Sequence, residues 1–326
     1  MRARARKNDE ATVCPLHHDQ RRLIPKRILD PLLKCITSKW VEYILAEIHE
    51  GVCGNHSGAR TMAAKVLRAG YYWPTVQGDC VEYMKKCVKC QEFGLLHHTR
   101  PKELHNIISP WLFAIWGMEI IGPFAPGKGQ TKFLLVRVDY FTKWIKAEPL
   151  ASISAKNVQN FVQRSIVCQF GVPHTIITNN DRQFIDRGLQ SFDDDLGIKS
   201  VTASVEHSQT NGQAEAANKV ILIELKKRLG KAKGRWTEEL IEVIWAYRCT
   251  PQTTTHETSY SLTYGVESMI PVEVAEPTIR MQMFDLTLNE ESLAVNLDLV
   301  SEFRDKSRIR KAACKIRASR RYNTKV

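Results

Sequence analysis

Apolar positions recur at helical spacing in three early stretches of the chain. Over residues 40–50, Val41, Ile44, Leu45 and Ile48 share one face, and His49 follows at the end of the helix they predict. Residues 59–69 repeat the pattern with Met62, Val66 and Leu67 inward, and residues 76–86 predict a third helix. The first gap is Gly-Val-Cys-Gly-Asn-His-Ser-Gly over 51–58, a glycine-rich turn that places His56. The second is the aromatic break Tyr-Tyr-Trp-Pro over 71–74, and the third helix runs into Cys87-Val-Lys-Cys90.

From Trp111 the pattern changes to short apolar runs bounded by glycine and proline. Residues 116–123, 132–139 and 144–149 predict three strands in a meander. A helix over 155–170 follows, with Val158, Phe161, Val162 and Ile166 on one face, ended by Gly171-Val-Pro. Residues 175–178 and 199–202 predict two more strands around a helix over 186–196, and helices are expected over 213–229 and 237–249. This order is mixed α/β: a five-stranded sheet with flanking helices, preceded by a small helical module. Residues 280–326 are helical in pattern and basic at the end. The expected divisions are a basic, mostly irregular segment over 1–34, the small module over 35–100, a linker over 101–110, the α/β core over 111–265 and a helical extension over 266–326.

Two histidines and two cysteines change what the small module is for. His49, His56, Cys87 and Cys90 supply two imidazoles and two thiolates, a donor set suited to tetrahedral Zn²⁺. A closed set of four ligands serves folding, since a module this small has little core of its own. Cys53 and Cys80 are expected to be structural thiols. Nine cysteines at irregular spacing form no disulfide framework, which predicts a reducing compartment.

Charge adds a partner. The chain of 326 residues has a formal net charge of +12, and residues 1–30 with 301–326 carry all of it. Basic ends on a neutral body predict contact with a polyanion, most simply nucleic acid. The run Arg2, Arg4, Arg6, Lys7 has the character of a nuclear-import signal.

Beyond pattern, the chain resembles the integrases of gypsy-type LTR retrotransposons. The likeness rests on His49, Gly-Asn-His-Ser-Gly, Tyr-Tyr-Trp-Pro and Cys-Val-Lys-Cys-Gln in the small module. In the core it rests on Met-Glu-Ile-Ile-Gly-Pro, Val-Asp-Tyr-Phe-Thr-Lys-Trp, Phe-Gly-Val-Pro and Thr-Asn-Gly-Gln-Ala-Glu, and in all it covers about residues 35–326. The resemblance implies a His-His-Cys-Cys zinc domain before a ribonuclease-H-like core. It also implies DNA as partner, a homo-oligomer, and work in the nucleus. The family commonly carries a further small β module, so the chain reads as stopping before it.

The implied chemistry is metal-dependent 3′ processing and strand transfer of element DNA into target DNA, with Mg²⁺ or Mn²⁺ held by Asp, Asp and Glu. Here those positions hold Glu119, Asn179 and Glu215, with the family's thirty-five residues between the last two. Glu119 keeps the charge but adds a methylene. Asn179 brings no charge, and its amide oxygen is a weaker ligand for a hard dication. Asp181 stands where the family has glycine. These changes predict little or no catalysis; the alternative is a non-catalytic zinc- and DNA-binding protein derived from an integrase. A ribonuclease H would share the core fold, but the zinc module argues against it. Without the resemblance, Glu119 reads as an ordinary strand residue and Glu215 as a partner of Lys219. Gln209, Asn211, Gln213 and Lys219 are the expected DNA contacts. Lys226, Lys227, Arg228, Lys231, Lys233 and Arg235 are either phosphate contacts or a solvated helix end.

Overall fold

A computed structural model describes residues 33–94, 107–203, 211–230, 233–282 and 284–323. The N-terminal basic run, most of the expected linker, Gln209 and Lys231 lie outside the described residues. The chain divides into two compact units: Met1–Cys87 with Met269–Val295, and Val88–Ser268 with Asn296–Val326.

The first unit is built on β1 (Lys34–Cys35), α1 (Ser38–Glu50), α2 (Ala59–Arg68), β2 (Tyr71–Tyr72) and α3 (Val76–Lys86). Most of the helix faces read from the sequence are buried: Ile44, Leu45 and Ile48 of α1 and Met62 and Val66 of α2, together with Trp73, Val76 and Cys80, while Val41 and Leu67 are half-buried. β1 and β2 form a short parallel pair that the sequence pattern did not announce. The short helix α4 (Val88–Glu92) follows α3.

The second unit is the five-stranded sheet. Its strands are β3 (Ile115–Ile121), β4 (Phe133–Asp139), β5 (Ile145–Leu150), β6 (Thr175–Thr178) and β7 (Lys199–Thr202), in the order β5-β4-β3-β6-β7. β3 pairs antiparallel with β4 and parallel with β6. Alternation along β4 sends Leu134, Val136 and Val138 to one face and Leu135 to the other. The Leu135 face is covered by α5 (Ala155–Val162) and, beyond the short α6 (Cys168–Phe170), by α7 (Arg187–Asp195). The Val136 face packs on Ala217, Ile221 and Leu225 of α8 (Gly212–Leu229) and on Trp236, Leu240 and Val243 of α9 (Trp236–Arg248). This is the ribonuclease-H-like arrangement expected.

One expected helix is interrupted. The run over 155–170 contains a π turn at Gln163–Val167 between α5 and α6. The widened turn sets Ile166 and Phe170 against Trp116 and Trp144, a small cluster that periodicity alone does not reveal.

Three short helices, α10 (Ser259–Tyr264), α11 (Pro271–Ala275) and α12 (Ile279–Gln282), precede α13 (Leu286–Asn323), a single helix of 38 residues. Residues 266–326 are thus shared between the two units. Within the first, the Tyr71 hydroxyl donates to the Glu276 carbonyl at 2.6 Å, and Lys34 pairs with the Glu276 carboxylate. No helix among the described residues is long and apolar enough to cross a membrane.

Candidate functional site

The zinc ligands are assembled by a turn that only glycine permits. A Cβ on Gly54 would stand 2.6 Å from the His49 carbonyl oxygen. The chain therefore doubles back directly after α1, and the His56 N–H reaches the His49 carbonyl at 3.1 Å. His56 itself adopts a φ of 38°. The two imidazoles lie 4.7 Å apart, centroid to centroid, and Cys87 Sγ is 3.5 Å from His56 Nδ1. One ligand atom from each of His49, His56, Cys87 and Cys90 lies within 4.8 Å of the others.

A tetrahedral zinc ion with bonds of about 2.0–2.3 Å sets its ligands roughly 3.3–3.8 Å apart. The Sγ–Nδ1 separation falls in that range, and the donor set is the one zinc favours, so these residues fit the ion. Three of the four are buried. A closed, buried set of four leaves no position for a substrate, which makes the ion a structural one.

The second constellation lies at the ends of β3 and β6. Parallel pairing of β3 with β6 ends at Met118 beside Thr178, so Glu119, still paired with Val136 of β4, and Asn179 come next on the two chains. Glu119 points to the α8 face, where the Asn218 amide donates to its carboxylate at 2.6 Å. Asn218 lies three residues after Glu215, one turn along the same helix face. Burial pushes the Glu119 carboxyl above its ordinary range. Hydrogen bonds from Asn218 and Asn179 oppose that rise, while the charges of Glu215 and Asp181 add to it.

Beneath them sits Asn211, at the N-cap of α8. Its amide nitrogen donates to the Met118 carbonyl at 3.1 Å and to Asn179 Oδ1 at 2.9 Å. The Tyr140 hydroxyl donates to Asn211 Oδ1 at 3.4 Å. Gly117 makes this packing possible: a Cβ there would meet Tyr140 at 2.5 Å and Asn211 Oδ1 at 2.9 Å. The one oxygen that Asn179 can offer an ion thus already accepts a hydrogen bond, and its amide engages Glu119 instead. Among the described residues, His49, His56, Cys87 and Cys90 are the one group of three or more histidine, cysteine, aspartate or glutamate side chains close enough for one ion. Beside Glu119, Asn179 offers a neutral amide oxygen where a carboxylate would bring charge to a divalent cation.

Several expected DNA contacts are placed differently. Asn211 is fully buried, because its side chain bridges the strand end to α8 rather than reaching solvent. Gln213 is half-buried: Lys143 donates to its side-chain oxygen, and its amide donates to the Ile107 carbonyl at 3.2 Å. Lys219 is exposed on α8 and free to meet a phosphate. Part of the basic stretch is taken up within the fold. Lys227 is buried in a 3.0 Å pair with Glu224, Arg228 bonds Glu242 of α9 at 2.7 Å, and Arg235 pairs with Glu238 at 2.9 Å. Lys226 is exposed. Trp236 is in the core, stacked on Phe124 at 4.7 Å. Sequence reasoning missed Asn218 and Tyr140; Asn218 was signalled by its place one helical turn after Glu215.

Residues 36–94 match the integrase zinc binding domain and residues 113–208 the integrase core domain. The chain therefore carries an integrase zinc-binding domain followed by an integrase core, a core class that works with divalent metal. Its relatives include proteins named for retrotransposons and their integrases. It is 27% identical over 230 residues to gypsy retrotransposon integrase-like protein 1 of Bos taurus, covering 70% of this chain and 45% of that protein. It is 25% identical over 245 residues to the retrovirus-related Pol polyprotein from transposon 412 of Drosophila melanogaster, covering 75% of this chain and 20% of that one. The chain spans less than half the length of these curated relatives. Among solved structures it is similar to a chain of the simian T-cell lymphotropic virus intasome in complex with PP2A regulatory subunit B56 gamma. That likeness has a TM-score of 0.44 and 17% identity over 67% of this chain and 73% of that one.

Proposed function

We propose that this chain is the integrase segment of a gypsy-type retrotransposon, folded and zinc-loaded, with strand transfer severely reduced in this copy. The observation that carries the reduction is Asn179. It stands where the chemistry needs an acid, its oxygen accepts from Asn211, and its amide faces Glu119. Two dications between phosphate oxygens and protein need negative ligands, and an amide supplies none. Glu119 compounds the loss, since its extra methylene displaces the carboxylate on the scale that catalytic geometry resists.

DNA is the proposed partner, met by exposed lysines such as Lys219 and by the basic ends of the chain. Self-association and action in the nucleus belong to the same reading. The domain scheme inferred from the sequence belongs to the same proposal; the compact units divide differently, with Val88–Ser268 and Asn296–Val326 in one and Met1–Cys87 and Met269–Val295 in the other. The test is Mg²⁺-dependent joining of labelled oligonucleotide ends by the full chain and by the Glu119→Asp, Asn179→Asp double variant. Joining that appears only in the double variant supports the reading. Equal turnover of the two rejects it.

A further inference from the structure

From Asn296 on, α13 belongs to the second unit, with one face latched and the other bare. On the latched face, Arg304 donates to the Leu262 and Thr263 carbonyls at 2.9 and 2.8 Å. Lys311 donates to the Tyr140 and Phe141 carbonyls, and Lys315 reaches the Ile107 carbonyl at 2.5 Å. Ser307 between them is buried. The opposite face carries Leu299, Glu302, Lys306, Ile309, Ala313 and Ile316, all exposed. Their spacing alternates three and four without a break, which is the seam of a coiled coil. Leu299, Ile309 and Ile316 are 43%, 65% and 46% exposed, in a helix otherwise rich in charge.

The charge along α13 selects a direction. Residues 285–305 hold six acids and one base, whereas residues 306–321 hold eight bases and no acid. Two such helices side by side in the same direction set like charges together. Run in opposite directions, they set acid against base.

We infer that this face of α13 pairs with the same face of a second copy of the chain, antiparallel, about a two-fold axis level with Arg304. That axis sets each residue opposite the one equally far beyond it. Leu299 of each copy meets Ile309 of the other, and Glu302 meets Lys306. Asp298 faces Arg310, which within its own chain also lies 3.4 Å from the Glu257 carboxylate. Within one chain Glu302 and Lys306 already pair at 2.5 Å across one helical turn. The two copies together therefore make an alternating four-charge cluster flanked by apolar contacts. The interface is isologous and closes on itself, so it yields a dimer rather than a fibre. The inference deepens the self-association proposed above by naming its surface. Because its test uses neither DNA nor catalytic metal, it can fail while the integrase reading stands.

The test is sedimentation velocity of the full chain over a concentration series, with circular dichroism as the check on helix content. Wild type is expected to form a dimer with a dissociation constant on the order of micromolar. Glu302→Lys and Lys306→Glu each place like charges opposite one another and are expected to sediment as monomers. An equimolar mixture of the two variants is expected to regain the dimer, because each altered charge then faces an opposite one. Mixing restores no pair within a chain, so recovery reports only the contact between copies. Leu299→Asp is a second disrupting variant, at an exposed position that leaves the latched face intact. A wild type that stays monomeric, single variants that dimerise as wild type does, or a mixture that stays monomeric would each overturn the inference.

Discussion

Replacing Arg137 by methionine should make the protein more stable. Arg137 lies in the middle of β4 on the face covered by α5 and α7, with a side chain that is 0% exposed. Its Nε donates to the Met118 sulfur at 2.9 Å, a weak acceptor, and the Phe161 ring lies 5.8 Å away. Neither Nη1 nor Nη2 has a hydrogen-bond partner among the described residues. Burial pushes the guanidinium down to about 9, and only the charge of Asp193 works against that fall.

Each unsatisfied buried donor costs about 1–3 kcal/mol, more when charged. Methionine keeps a long, adaptable apolar stem in the same space and removes both donors. The gain is offset in part by Asp193, which is itself buried, has Oδ1 without a partner among the described residues, and would lose its opposite charge. The net expectation is about 1–3 kcal/mol of added stability, or a rise in transition midpoint of about 2–12 °C for a unit of this size. Arg137→Met with Asp193→Asn should gain more than Arg137→Met alone. Differential scanning fluorimetry and urea unfolding followed by tryptophan emission both read this. An unchanged or lowered midpoint in both variants would refute the reasoning, because it would mean that the guanidinium is satisfied where it lies.

Three other outcomes are expected. Chelation, or Cys87→Ser with Cys90→Ser, should remove one zinc ion per chain and unfold the first unit, read by metal analysis and far-ultraviolet dichroism; full metal content in the double variant would reject the ligand set. Gly117→Ala should cost about 2–4 kcal/mol, since its Cβ would meet Tyr140 at 2.5 Å and the strand cannot move away without losing register; a midpoint within error of wild type would count against it. Glu119 should make stability depend on pH. Its folded pKa is raised above the ordinary 4.5, so the native state holds the proton longer than the unfolded one. Wild-type stability therefore falls as pH rises from that value through the folded pKa. Glu119→Gln should match wild type near pH ~4 and exceed it near pH ~7, and parallel profiles would contradict the shift.

Much of the site was legible because it depends on spacing. The zinc set could be read from four residue types on predicted helices and one glycine turn. The positions proposed for the catalytic acids rest on the resemblance and on the thirty-five residues between Asn179 and Glu215. What stayed hidden depends on which side chain meets which across elements. Asn211 read as part of a polar loop, yet it fills the space that Gly117 leaves under β3. Lys227 and Arg228 read as free cations, but Arg228 is paired through Glu242, a residue on the next helix. Arg137 interrupts an apolar strand, and alternation along the strand does not say which of its two faces is interior. Only the packing of α5 and α7 makes that face an interior one. The exposed seam of α13 has the strict three-and-four period of a coiled coil, but it becomes visible only when the latched face is known.

The central claim is that the integrase scaffold is intact while its strand-end ligands are not. It is tested most directly by strand transfer measured on three proteins under one set of conditions: wild type, Asn179→Asp, and Asn179→Asp with Glu119→Asp. The account predicts turnover rising in that order, by about 100-fold or more from first to last. DNA binding and zinc content should stay the same in all three. Wild-type turnover equal to that of the double variant would contradict it.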